Sequence, residues 1–69
     1  MNYTYKVLAT DMDFLTVALN QVRVSVWHVL GDREHIIEYG GPLEEYSPES
    51  IKIMGKRYFR NTFEFRAQK

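Results

Sequence analysis

The stretch FLTVALNQVRVSVWHVLGDREHIIEY, Phe14 to Tyr39, decides the fold because its apolar residues fit two different periods. With period two, and with Asn20-Gln21 as a two-residue hairpin loop, Leu19 faces Val22, Val17 faces Val24, Leu15 faces Val26 and Phe14 faces Trp27. One face then carries Leu15, Val17, Leu19, Val22, Val24 and Val26, while the other carries Phe14, Thr16, Ala18, Arg23, Ser25 and Trp27. A second loop at Gly31-Asp32-Arg33-Glu34 pairs Trp27 with Glu38 and Val29 with Ile36. It continues the apolar face through His28, Leu30, His35, Ile37 and Tyr39. A slip of one residue would exchange the faces, so two turns that agree on one apolar face favour strands throughout.

The competing period is helical and concerns residues 11–20. Thr10-x-x-Asp13 resembles a capping box, and Leu15, Ala18, Leu19 and Val22 fall near helical spacing. Thr16 and Val17, β-branched and mid-segment, and the shortness of the run weigh toward the strand.

Outward from this centre, NYTYKVLAT alternates Tyr3, Tyr5 and Val7 with Thr4, Lys6 and Leu8, as a strand does. Tyr39 to Ser50, YGGPLEEYSPES, reads as a loop: Gly40-Gly41-Pro42 opposes regular structure, and Ser47-Pro48-Glu49 can begin a short helical turn with Ser47 capping. SIKIM then alternates Ile51 and Ile53 with Lys52 and Met54, and a turn near Gly55 leads into KRYFRNTFEFR. As one strand, this last segment puts Phe59, Phe63 and Phe65 inside. Lys56, Tyr58, Arg60, Thr62, Glu64 and Arg66 form an outward basic stripe. The expected fold is all-β, a five- to six-stranded antiparallel barrel or strongly bent sheet of SH3 or OB size, forming one domain over residues 1–69. The alternative is α+β, with one short helix near residues 11–20.

A chain of 69 residues buries only about 60% of the surface its unfolded form exposes, so its core must be used fully. The absence of cysteine removes disulfides, thiolate chemistry and cysteine-ligated zinc, and suits a reducing cytoplasm. The N-terminal residues lack a signal-peptide pattern, and no apolar run approaches the ~20 residues that span a bilayer, so no membrane partner is expected. Size and lack of cysteine suit a small bacterial or phage accessory protein. Formal charge is zero but polarised: residues 1–50 hold eight acids against three bases, and residues 51–69 hold six bases against one acid. Mutual neutralisation within one fold accounts for this better than nucleic-acid binding, which usually goes with net positive charge.

Chemistry-bearing patterns are sparse. His28 and His35, with Asp32 and Glu34 between them, do not converge as zinc ligands must, and packing histidines are expected instead of a metal site. Ser25 lacks a glycine-flanked elbow, Gly40-Gly41-Pro42 lacks phosphate-loop spacing, and Glu44-Glu45 is a solvated pair. The expectation is no enzyme, no cofactor and no small-molecule substrate.

Two surfaces remain. Phe14, Trp27, Val29 and Ile36 share the face turned away from the valines, and large apolar groups there are either covered by the N-terminal strand or offered to a partner. Glu44, Glu45 and Tyr46 in the acidic loop form a second candidate contact. The sequence thus points to a non-enzymatic protein-binding module, an adaptor or inhibitor of another protein or a self-associating homodimer. The runner-up is a small barrel that binds single-stranded nucleic acid through Lys56, Arg57, Tyr58, Arg60 and Arg66.

Overall fold

A computed structural model describes residues 5–68, and Tyr3 and Thr4 of the expected first strand lie outside that range. The elements are β1 (Tyr5–Leu8), α1 (Asp11–Asn20), β2 (Arg23–Leu30), β3 (Arg33–Tyr46), β4 (Ser50–Ile53), β5 (Lys56–Phe59) and β6 (Glu64–Gln68). The strands form one antiparallel sheet in the order β1-β6-β2-β3-β4-β5. The sheet is bent and does not close: β1 and β5 are its two edges.

Residues 11–20 are helical, which overturns the strand assigned to Leu15–Leu19 and the hairpin at Asn20-Gln21. Both ends of the helix are closed by side chains and turn geometry. Thr10 Oγ1 accepts from the Asp13 N–H at 3.1 Å, while Asp13 Oδ2 accepts from the N–H groups of Thr10 (3.1 Å) and Ala9 (3.0 Å). At the other end Gln21 is left-handed (φ 52°), and the N–H groups of Gln21 and Val22 reach the carbonyls of Ala18 and Val17 in a Schellman pattern. Mid-helix Thr16 is accommodated because its hydroxyl donates to the Met12 carbonyl at 2.8 Å. The helix buries Phe14 and Val17, whereas Leu15 and Leu19, expected inside, are exposed.

Freed from that hairpin, β2 lies between β3 and β6, with Val24 and Val26 fully buried. Its turn to β3 contains only Gly31-Asp32, so Leu30 opposes Arg33 and Trp27 opposes Ile36. The register is two residues tighter than expected, and an even shift leaves the faces of residues 27–30 and 33–36 unchanged. Leu30, next to the turn, and Ile37 and Tyr39, in the irregular stretch of β3 before Gly40, are exposed instead of buried.

The expected loop at Tyr39–Ser50 is largely strand. β3 runs on to Tyr46, bent by two irregularities in its pairing with β2 that fall between Ile36 and Gly41. Gly40 sits at the bend with φ 89°, and any Cβ there would collide with the Val24 carbonyl. Ser47 does cap, though no helix follows: its Oγ accepts from the N–H groups of Glu49 and Ser50. β4 turns into β5 at Met54-Gly55, both with positive φ, as a type I′ turn requires.

KRYFRNTFEFR is not one strand. The Phe59 carbonyl accepts from the N–H groups of Thr62 and Phe63, and this turn separates β5 from β6 and exchanges their faces. Tyr58 is therefore inside, edge-on to Phe63 at 5.5 Å, and Phe59 is outside, 61% exposed, the reverse of the expectation. The core joins Leu8, Phe14, Val17, Val24, Val26, Leu43, Ile51, Ile53, Tyr58, Phe65 and Ala67, with α1 held inside the bend.

Candidate binding face

The helix covers one face of the sheet, and the register places on the other face Tyr5 and Val7 of β1, Glu64 and Arg66 of β6, Ser25, Trp27 and Val29 of β2, and Glu34 and Ile36 of β3. At its centre lies Arg66, only 5% exposed although no helix or strand among the described residues packs over it. Its guanidinium stands 4.2 Å from the Trp27 ring centroid and 4.9 Å from that of Tyr5. Nη2 reaches Glu34 at 3.0 Å, and Nε donates to Glu64. Burial works against the charge, but the hydrogen bonds to Glu34 and Glu64 outweigh it, so the guanidinium is held even more firmly protonated than usual. Each ring contact of this kind contributes about 0.5–2 kcal/mol.

The indole is fixed as well. Trp27 Nε1 donates to Ser25 Oγ at 2.8 Å, and that hydroxyl donates to the Arg66 carbonyl at 3.2 Å. Trp27 is thus locked on one side by Ser25 and on its ring face by Arg66, with Ile36 directly opposite on β3 and Val29 two residues along β2. The result is a surface of two rings, a neutralised cation and partly exposed aliphatic groups.

Trp27, Val29 and Ile36 therefore share one face, but Phe14 does not join them. It is buried under α1, edge-on to Phe65 at 5.8 Å and stacked on Tyr46 at 6.4 Å, with the Arg60 guanidinium 4.5 Å from its centroid. That misplacement follows directly from reading residues 15–19 as a strand. Glu44, Glu45 and Tyr46 lie on β3, not on a loop. Glu44 accepts from the Gly55 N–H at 3.0 Å, Glu45 pairs with Arg57 (3.1 Å) and Lys52 (3.8 Å), and Tyr46 rests on Phe14.

The five residues named for nucleic-acid binding are dispersed. Tyr58 is in the core, and Arg66 belongs to the face just described. Arg60 holds Asp11 at 2.7 Å and the carbonyls of Ser47 and Ala9 at 2.8 and 3.2 Å. Only Lys56 and Arg57 are exposed, and Arg57 is engaged by Glu45 and Ser50. Phe59 is the ring beside them, lining an open recess of about 440 Å³ with Pro48, Glu49 and Asn61.

His28 and His35 oppose each other directly across β2 and β3, and His28 packs against Phe63 at 5.9 Å. Among the described residues no group of three or more His, Cys, Asp or Glu gathers as a metal site would need. Among them, too, no helix is long and apolar enough to cross a membrane.

Comparison with protein-family models, with curated proteins and with solved structures finds no match. The reading of this face accordingly rests on its own chemistry. Sequence reasoning did not place Tyr5 and Val7 at this site, and it assigned Arg66 to the nucleic-acid alternative instead. The alternation of Tyr5 and Val7 against Lys6 and Leu8 was visible, but nothing local to either segment states that β1 pairs with β6.

Proposed function

We propose that this chain is a non-enzymatic protein-binding module, an adaptor or inhibitor, that engages its partner through the sheet face around Trp27. The observation that supports this is Arg66 held between Tyr5 and Trp27 on the face that the helix leaves open. Trp, Tyr and Arg dominate binding hot spots because they offer large contact area, and here the ordering entropy is met in the free protein. Val29 and Ile36 extend the apolar contact, and Glu34 and Glu64 give it an acidic rim.

Quantitative capture from the native host tests this with paired variants. A partner retained by wild type and by Lys56→Ala/Arg57→Ala, but lost with Val29→Glu or Ile36→Glu, is the expected outcome. The opposite pattern overturns it: salt-sensitive oligonucleotide binding that survives Val29→Glu and disappears when Lys56 and Arg57 become Ala.

A further inference from the structure

The two edges of the sheet differ in how far their main chain is taken up. On β5 the Phe59 carbonyl is taken by the chain's own turn at Thr62 and Phe63, which leaves the outward pairing groups incomplete, so this edge is partly blunted. Among the described residues no turn takes up the outward main chain of β1, and its lysine, Lys6, is paired with Asp13. Its orientation follows from Arg66, whose carbonyl points toward β2, where Ser25 Oγ donates to it. In an antiparallel strand one residue's N–H and C=O point the same way, so Arg66 bonds toward β2, and Val7 opposite it turns both groups away from β6. Tyr5, two residues earlier, does the same. The open edge therefore presents the N–H and C=O of Tyr5 and Val7, while both side chains remain more than 40% exposed on the outer face.

We infer that β1 pairs antiparallel with β1 of a second copy of this chain, about a two-fold axis passing through Lys6. In that register Tyr5 opposes Val7 of the other copy and Val7 opposes its Tyr5. Both are hydrogen-bonded pairs, and together they provide about four main-chain bonds that satisfy the outward groups of Tyr5 and Val7. The same register sets an aromatic ring against a β-branched side chain twice on the outer face, a favourable cross-strand combination. Two lysines meet at the axis, but each Lys6 is held by its own Asp13 at 3.1 Å, so two ion pairs of alternating sign come together rather than two bare cations. Shifting the axis to Val7 would pair Tyr5 with Ala9, whose N–H and carbonyl are already taken by Asp13 and Arg60. An isologous contact of this kind closes after two copies and joins the two Tyr5-Arg66-Trp27 surfaces into one.

The inference does not depend on capture of a foreign partner, and its test is separate. Light scattering over about 1 µM to 1 mM, the range in which small interfaces dissociate, should show the mass rising from 8.2 kDa toward twice that value. Val7→Pro removes an N–H that faces the open edge, so it should leave the fold's circular dichroism intact and keep the chain monomeric. Because the chain has no cysteine, Lys6→Cys places a single thiol on the axis, at a separation a disulfide can bridge. Under diamide it should cross-link at least ten-fold faster than exposed Met12→Cys, a readout that stands even if Val7→Pro fails to fold. A wild type that stays monomeric throughout, or Lys6→Cys cross-linking no faster than Met12→Cys, overturns the inference.

Discussion

On each side of this sheet an arginine lies over an aromatic ring, partly buried at Arg60 and almost fully at Arg66, and the two serve different ends. Inside, Arg60 lies over Phe14 and ties α1 to the turn after β5 through Asp11 and the carbonyls of Ala9 and Ser47. It serves a core already closed by apolar side chains. Outside, Arg66 lies between Tyr5 and Trp27, on the face opposite the helix. There the cation itself closes the surface. A chain with one ten-residue helix can cover one side of a six-stranded sheet, and the other side must either stay polar, recruit a partner or be filled by a long side chain whose charge is neutralised locally.

The bend that lets one helix serve the whole inner face is the feature most easily broken. Gly40→Ala puts a Cβ against the Val24 carbonyl in a left-handed backbone, and the clash is with main chain that cannot move aside. We expect loss of the cooperative thermal transition. Phe14→Ala comes next, at about 3–5 kcal/mol. For a domain of this size, whose total stability is on the order of 3–10 kcal/mol, that is enough to leave much of the population unfolded in a urea titration.

Arg66→Met sharpens the contrast between the faces. It keeps the stem but removes the charge from two carboxylates that are themselves partly solvated, Glu34 at 51% and Glu64 at 29% exposure. The expected cost is about 1–3 kcal/mol, below that of Phe14→Ala, because water can reach the orphaned acids. Trp27 emission should shift as its stacked cation is lost. An equal or greater cost than Phe14→Ala would mean that the outer face carries the fold.

How much of this was legible depends on how local each determinant is. Trp27, Val29 and Ile36 fell on one face because strand alternation survives a register error of two residues, as occurred between the expected four-residue loop and the observed Gly31-Asp32 turn. Phe14 was misplaced because Leu15, Val17 and Leu19 satisfy a strand pattern, while the helix is specified by its ends, Thr10, Asp13 and the left-handed Gln21. The capping box was readable, but the Schellman turn at a non-glycine residue was not. Gly40-Gly41 looked like a loop because the same freedom serves a bulge, and only the nearby Val24 carbonyl distinguishes the two. The turn at Arg60–Phe63 carries neither glycine nor proline, so the exchange of Tyr58 and Phe59 left no local signal.

The smallest effect concerns the helix start, and its sign is fixed by the Asp13 carboxylate. The N–H groups of Ala9 and Thr10, followed by the Lys6 ammonium, hold its pKa well below the ordinary carboxylate value. The folded chain thus binds fewer protons than the unfolded chain in this range. The stabilisation is present in full above about pH 4 and is lost as pH falls from there toward the lower folded value. Asp13→Asn should flatten the part of the acid limb that wild type shows below pH 4, while Thr10→Ala, which removes the other half of the reciprocal cap, should lower stability without flattening that limb. Urea midpoints at pH 6 and pH 2.5 for wild type and both variants measure this. An acid limb unchanged by Asp13→Asn would show that other carboxylates govern acid unfolding, and that the closed helix start contributes through geometry alone.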